Sequence, residues 1–213
     1  MRIPLVCIAF FGTLAPIAAA SGFPAPPPPA ATEGASGMQT AVFAGGCFWG
    51  VEGVFEHVKG VTKAVSGYSG GEAKTARYEI VESGNTGHAE SVQVTYDPSK
   101  VSYGQLLEVF FAVAHDPTEK NRQGPDAGPQ YRSVIFYSSE QQKQTAEAYI
   151  REIDAARVFR APIATEVVPL RAFYPAEAYH QKFLQRNPDY PYIVYNDLPK
   201  LAQLKKQFPE LNK

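Results

Sequence analysis

Cysteine is almost missing from this chain of 213 residues: there are two, Cys7 and Cys47. Cys7 lies inside an apolar leader, so removal of the leader leaves Cys47 alone and excludes an internal disulfide. An exported chain with a single thiol has not used cysteine for stability. That thiol is either an incidental buried side chain or present for its reactivity. A charge excess is missing too, with 20 Lys and Arg against 21 Asp and Glu and a formal net charge of −1. No basic surplus points to nucleic acid, and no acidic run points to a solvating tail. No internal repeat is visible. With 45% hydrophobic residues the chain can bury a core as one globular domain, so function has to be read from a site.

The beginning of the chain stands apart. Arg2 precedes a nearly uninterrupted apolar stretch, residues 3–20, that ends Ala18-Ala19-Ala20 before Ser21. A positive start, an apolar middle and a small-x-small end predict a secretory signal peptide over residues 1–20, hence export, with the periplasm as the expected compartment. The competing reading is an uncleaved membrane anchor, since the run approaches the length of a spanning helix. Cys7 falls too early in the run to serve as a lipid anchor. Residues 21–37, with Pro24 and four consecutive prolines from Pro26 to Pro29, read as a mobile, partly polyproline linker. The folded domain is expected over residues 38–213.

The stretch 41–50, Ala-Val-Phe-Ala-Gly-Gly-Cys-Phe-Trp-Gly, carries that cysteine and the only tryptophan. Val42, Phe43 and Ala44 read as the end of a buried strand, and Gly45 and Gly46 permit a sharp turn with positive φ. Phe48, Val51, Val54, Phe55 and Val58 then recur at helical spacing, and Gly60 sits where a helix stops. Cys47 is thus expected at a helix N-terminus, where free N–H groups and the helix dipole favour an anion. A thiol pKa lowered from about 8.5 to about 7 would raise the thiolate share at neutral pH from roughly 3% to roughly 50%. The position suits a nucleophile.

Further strands are expected at 61–67, 90–96, 133–137 and 165–170. Helices are expected behind Ser102, where Gln105 completes a capping box, behind Ser139 to about Val158, from Pro175 with Ala178, Tyr179 and Phe183 inward, and around 198–208. Residues 115–130 read as a long loop, of a length more often functional than incidental. The order from residue 40 is βαββαβ followed by further elements. This predicts an α+β two-layer sandwich with a ferredoxin-like, split-βαβ core and C-terminal helical additions. The alternative is a small parallel doubly wound sheet, which the consecutive strands at 61–67 and 90–96 argue against.

Glu90 is the second informative residue. On a half-buried strand it shares the apolar face with Val92, Val94 and Tyr96, which raises its pKa and makes it a general acid near neutral pH. Placed just before the strand, it is instead exposed or paired with a lysine; periodicity leaves both readings open. His88 beside it is a candidate orienting group. A cysteine hydrolase needs a histidine base, and His57, His88, His115 and His180 are all available, although no histidine-containing stretch here matches the papain-like proteases. A phosphatase loop needs arginine at position 53 and a thioredoxin site needs cysteine at position 50; both positions are glycine. A binding module with an unreactive thiol is a further reading.

Gly46-Cys47-Phe48-Trp49-Gly50, Gly87-His88-Ala89-Glu90, Gln130-Tyr131-Arg132-Ser133 and Tyr179-His180-Gln181, in that order, resemble the A-type methionine sulfoxide reductases, the peptide-methionine (S)-S-oxide reductases. The resemblance runs from about Ala41 to the helix expected after Pro175, and it implies an α+β sandwich with a ferredoxin-like core. It implies that Cys47 attacks the sulfoxide sulfur, Glu90 protonates the sulfoxide oxygen, and Tyr78 and Tyr131 hydrogen-bond that oxygen. Phe48 and Trp49 would line a pocket for the S-methyl group, and Asp126 would hold the methionine backbone amide. The substrates implied are oxidised proteins and free methionine sulfoxide, with no metal and no cofactor. Many relatives carry a second cysteine near the C-terminus; this chain has none there. The Cys47 sulfenic acid therefore has to meet an external thiol, thioredoxin-like, glutaredoxin-like or small. Gly124-Pro125-Asp126 also replaces the Gly-Asn-Asp of many relatives and leaves the acid in place.

Overall fold

Alternation along Gln39–Gly45 (β1) splits its side chains between two cores, Ala41 and Phe43 on one face of the sheet and Val42 and Ala44 on the other. The computed structural model describes residues 22–28 and 37–213. From β1 the chain turns through Gly46 and Cys47 into Phe48–Glu56 (α1) and returns as Val61–Ser69 (β2). A 3-10 turn at Ala73–Thr75 and one helical turn, Tyr78–Val81 (α2), lead to Ala89–Tyr96 (β3). Tyr103–Val109 (α3) runs on into a π-helical turn, Phe110–Ala114. The long loop that follows holds two short paired strands, Arg122–Gln123 (β4) and Asp126–Ala127 (β5), and a 3-10 turn at Pro129–Tyr131. Ser133–Tyr137 (β6), Glu140–Ala155 (α4), Glu166–Pro169 (β7) and Phe173–Pro175 (β8) come next. Phe183–Arg186 (α5), a second π-helical turn at Ile193–Asp197 and Leu198–Gln207 (α6) complete the described elements.

The sheet order is β7-β6-β1-β3-β2-β8. All neighbours are antiparallel except β6 and β7, so the fold is mixed α+β and a parallel doubly wound sheet is ruled out. The main core lies on the face covered by α1, α3 and α4, where Val92, Val94 and Ile135 meet Val54, Phe55, Leu106 and Tyr149. Phe43 is its hub, with Phe55, Tyr103 and Phe110 stacked at 5.1, 6.2 and 5.0 Å between centroids. The smaller cluster on the other face joins Val134 and Phe136 to Val42 and Ala44. Ser102 and Gln105 form the expected reciprocal capping box. At α4, Ser139 accepts from the Gln142 N–H at 3.2 Å, while the Gln142 side chain bonds the Ser138 N–H instead.

Three expectations need correction. The helix expected from Pro175 is absent; β8 ends there, Ala178 and Tyr179 point outward, and only Phe183–Arg186 is helical. Tyr174 pairs with Tyr68 and recruits the segment to the sheet edge, so sheet hydrogen bonding overrides the helical spacing. Of the two turn glycines, only Gly46 has positive φ, at 86°. Gly45 is small because the rings of His115 and Phe110 pack 3.0 and 3.1 Å from where a Cβ would stand. Part of the expected linker is also docked: the Pro24 carbonyl accepts from the Tyr149 hydroxyl at 3.1 Å, and Phe23 meets the Phe159 ring edge-on at 5.7 Å. The expected signal peptide lies outside the described residues.

Candidate active site

Cys47 occupies the N-cap position of α1. The Trp49 backbone N–H acts on its sulfur in the direction a helix start dictates, favouring the thiolate. Burial opposes it and wins, reinforced by the carboxylates of Glu90, Asp197 and Asp126, so the thiol pKa is pushed well above its usual value. The expectation of a lowered pKa is therefore wrong for the free protein. At 9% exposure the cost of stripping water from a thiolate exceeds what one oriented N–H returns.

Glu90 lies on the buried face of β3, 3% exposed, with Val92, Val94 and Tyr96. Its Oε2 accepts the Phe48 N–H at 3.0 Å, the first free amide of α1. Burial, aided by the nearby Asp126, raises its pKa to about 8 against the opposing pull of that N–H. Glu90 is thus protonated at neutral pH. With Oε2 fixed as an acceptor, the proton belongs on Oε1. Of the two readings left open by periodicity, the strand-face one holds. His88 does not orient this group: its ring bonds the Gly71 N–H at 3.2 Å and the Glu72 carbonyl at 3.0 Å.

The structure also gathers the two tyrosines. Tyr78 opens α2, its N–H donating to Glu177 Oε1 at 3.0 Å, while the Tyr68 hydroxyl donates to the other Glu177 oxygen at 2.8 Å. Burial first, then the charges of Glu90 and others including Cys47, push the Tyr78 hydroxyl up to about 12. Tyr131 ends the 3-10 turn before β6 and is raised by burial and by Glu90, Asp126, Tyr78 and Cys47. Both phenols therefore remain hydrogen-bond donors. Arg132 ties Tyr131 to Glu90, its guanidinium donating to the carbonyls of Gly87, His88 and Pro129 at 3.0, 3.2 and 2.8 Å.

An aromatic wall completes the site. Trp49, half-buried, stacks on Phe183 at 3.8 Å and meets the edges of Tyr190 and Tyr192. Phe48 is 1% exposed and packed against Tyr68 and His180, so it backs the wall more than it faces solvent. Trp49 Nε1 donates to His180 Nδ1 at 3.1 Å. His180, its pKa lowered by burial, is therefore neutral with its proton on Nε2. Asp126, half-buried on β5, accepts from the Tyr192 hydroxyl. His115, held by the Phe110 carbonyl and Ser133 and pushed down to about 4 by burial, is neutral and engaged elsewhere. Tyr192, Glu177 and the Trp49–His180 bond were not foreseen. They come from segments far apart in sequence, and no spacing rule links them. Among the described residues no cluster of His, Cys, Asp and Glu could hold a metal ion.

The family model for peptide methionine sulfoxide reductase matches residues 39–212. The chain is 63% identical over 179 residues to "Peptide methionine sulfoxide reductase MsrA 2" of Mesorhizobium japonicum, covering 84% of this chain and 92% of that protein. It is 49% identical to an MsrA of Thermus thermophilus over 81% of this chain and 97% of that protein. Among solved structures, methionine sulfoxide reductase A of Corynebacterium diphtheriae superposes with a TM-score of 0.63 at 35% identity, covering 84% of this chain and 88% of that one. Reduced Mxr1 of Saccharomyces cerevisiae gives 0.64 at 34% identity, over 72% and 87%.

Proposed function

The chain belongs to the A-type peptide methionine sulfoxide reductases, oxidoreductases acting on sulfur, and from that premise we propose a mechanism that runs on the single thiol of Cys47 with Glu90 as its acid. The observation that carries it is a buried carboxyl, protonated at neutral pH, bonded to the amide next to the nucleophile. The sulfoxide oxygen accepts from Glu90 Oε1 and from the hydroxyls of Tyr78 and Tyr131. As the oxygen takes the Glu90 proton, the substrate sulfur becomes electrophilic and Sγ attacks it. The thiol's own proton, released as the S–S bond forms, restores the Glu90 carboxyl. The oxygen ends on Sγ as a sulfenic acid and methionine leaves, so the substrate sulfur is reduced and Cys47 oxidised by two electrons. The high thiol pKa fits this order: Cys47 is inert until a substrate fills the site and shares its proton balance.

The S-methyl group packs on Trp49, backed by Phe48, and Asp126 receives the backbone amide of the oxidised residue. Both protein-bound and free methionine-S-sulfoxide are substrates in this reading. No second cysteine follows Cys47, so an external thiol, small or carried on a thioredoxin-like or glutaredoxin-like protein, reduces the sulfenic acid. The apolar stretch over residues 3–20 supports reading this work as repair of oxidised proteins in the cell envelope, with the periplasm as the compartment. Among the described residues no helix is long and apolar enough to cross a membrane. The antiparallel order β6-β1-β3-β2 supports reading the sheet centre as a ferredoxin-like core. Assay of the separated sulfoxide epimers with dithiothreitol tests the function: turnover of the S epimer alone is expected, abolished by Cys47→Ser. Turnover of the R epimer, or activity surviving Cys47→Ser, contradicts it.

A further inference from the structure

One short segment holds the Trp49 ring at two points. The indole Nε1 donates to His180 Nδ1 at 3.1 Å, and the indole face lies on the Phe183 ring at 3.8 Å with 9° between the planes. Residues 180–183 therefore decide where the indole stands. His180, Gln181 and Lys182 form a turn ahead of α5, and Lys182 enters that helix with φ at 53°. A lysine seldom takes this left-handed conformation unless its surroundings impose it.

Glu52 imposes it. It lies on α1 three residues after Trp49, a spacing that puts both on one face of the helix. It is 1% exposed, and its Oε2 accepts the Lys182 N–H at 2.9 Å and the Ser66 hydroxyl at 3.0 Å. Ser66, buried on β2, grips the same segment with its backbone. Its N–H donates to Gln181 Oε1 at 3.1 Å, and its carbonyl accepts from Gln181 Nε2 at 2.9 Å. Gln181 Nε2 also donates to the Ala176 carbonyl at 2.9 Å. One residue further along α1, a Cβ on Gly53 would stand 2.6 Å from Leu184 Cδ1, so α1 and α5 meet with nothing between them. Neither Glu52 nor Gln181 has a part in the mechanism above.

We propose that Glu52, acting with Ser66 and Gln181, is a positioning residue that fixes the 180–183 turn and so holds Trp49 as a rigid wall for the S-methyl group; the inference rests on the methyl-pocket reading above. Without the Glu52 oxygen, the Lys182 N–H and the Ser66 hydroxyl are left unpaired where water does not reach. The strained turn is then free to relax, and it carries His180 and Phe183 with it. Glu90 stays tied to α1 through the Phe48 N–H, which this network does not touch. The loss therefore falls on how tightly and selectively the methyl group is held, and not on the chemical step.

Trp49 is the only tryptophan, so its fluorescence reports the wall directly. Glu52→Met removes the acceptor at similar size, Gln181→Leu removes the bridge to Ser66, and Glu52→Gln keeps an oxygen for both donors. Methionine release in a single turnover of the mature protein is measured against the concentration of methionine-S-sulfoxide, and the same is done with its S-ethyl homologue. Glu52→Met and Gln181→Leu are expected to shift the Trp49 emission to longer wavelength and to loosen discrimination between methyl and ethyl. They are expected to raise the half-saturating concentration about tenfold while the limiting rate stays within about threefold. Glu52→Gln is expected to restore emission and half-saturation. If one of the two disruptive variants does not fold, the other decides. Folded variants with unaltered emission and half-saturation overturn the proposal, as does a Glu52→Gln as impaired as Glu52→Met. A lower limiting rate at unchanged half-saturation overturns it too. So does failure of both disruptive variants to fold, which assigns the network to stability alone. Trp49→Ala tests the premise separately: if it changes neither half-saturation nor discrimination, the methyl-pocket reading fails, while the emission still decides whether Glu52 positions Trp49.

Discussion

At the scale of single residues, the site depends on a carboxyl and a thiol that are both protonated before substrate arrives. Glu90→Gln keeps the acceptor for the Phe48 N–H and most of the shape but cannot give up a proton. It is expected to slow sulfenic acid formation by about 10²–10⁴-fold, measured as methionine released in a single turnover without reductant; an unchanged rate would remove Glu90 from the chemistry. Because the Glu90 pKa is raised to about 8, the same rate is expected to hold up to neutrality and fall above about pH 8, as the acid form is lost. A rate that rises through that range would mean thiol ionisation is limiting instead. Both groups were visible in the sequence: the cysteine by its scarcity and helix-start position, the glutamate by its phase with Val92 and Val94. The direction of the thiol pKa was not, because the helix start is written locally. The burial that outweighs it comes from tertiary packing, and the charges that reinforce it come from Glu90, Asp197 and Asp126, which lie 43 to 150 positions away.

At the scale of elements, α1 is placed by contacts that leave no room for side chains at its glycines. A Cβ on Gly50 would stand 2.1 Å from Asp197 Oδ1 and 2.7 Å from the Lys200 ammonium. Asp197 is buried and cannot give way, so Gly50→Ala, ordinarily favourable in a helix, is expected to destabilise the protein by about 1–3 kcal/mol. Urea denaturation measures it, and a stabilised variant would mean that α6 sits farther from α1 than described. Strands and capped helices with their own signature, such as β6 or α3 behind Ser102, were legible. The segment after Pro175 was not. Its apolar spacing suits a helix, but Phe173, Tyr174 and Pro175 pair with Ser69, Tyr68 and Gly67, a partner 106 positions earlier. Composition alone also could not separate a free proline-rich linker from one docked on Tyr149 and Phe159.

For the molecule as a whole, four buried carboxyls, Glu52, Glu90, Glu108 and Asp197, are raised by burial and tie folding to proton uptake. Burial raises Glu52 and Glu108 to about 7 and Glu90 to about 8. Each binds its proton more tightly folded than unfolded, so stability falls as pH rises from about 4.5 toward those values. Below about 6.5 the lowered pKa of His115 works in the opposite direction, leaving the carboxyls unopposed above it. Between pH 7 and 8 Glu90 supplies most of the slope, at most about 1.4 kcal/mol per pH unit. Glu90→Gln is expected to flatten the fall of Tm over that interval, and an unaltered slope would show that Glu90 is already ionised at neutral pH. The succession of β1, α1, β2, β3, α3 and β6 was legible at this scale, but the helical turn α2 and the short strands β4 and β5 set between them were not; nor was the placement of the C-terminal segment against Cys47, since residues 192–200 carry no periodicity that points to the thiol. The central claim is that one thiol performs the reductive step by itself. Mass spectrometry of the protein after one equivalent of methionine sulfoxide, with no reductant present, tests it most directly. The account predicts one added oxygen on Cys47, trapped by a sulfenic-acid reagent, and one equivalent of methionine. Methionine released with Cys47 unmodified, or no methionine at all, would contradict it.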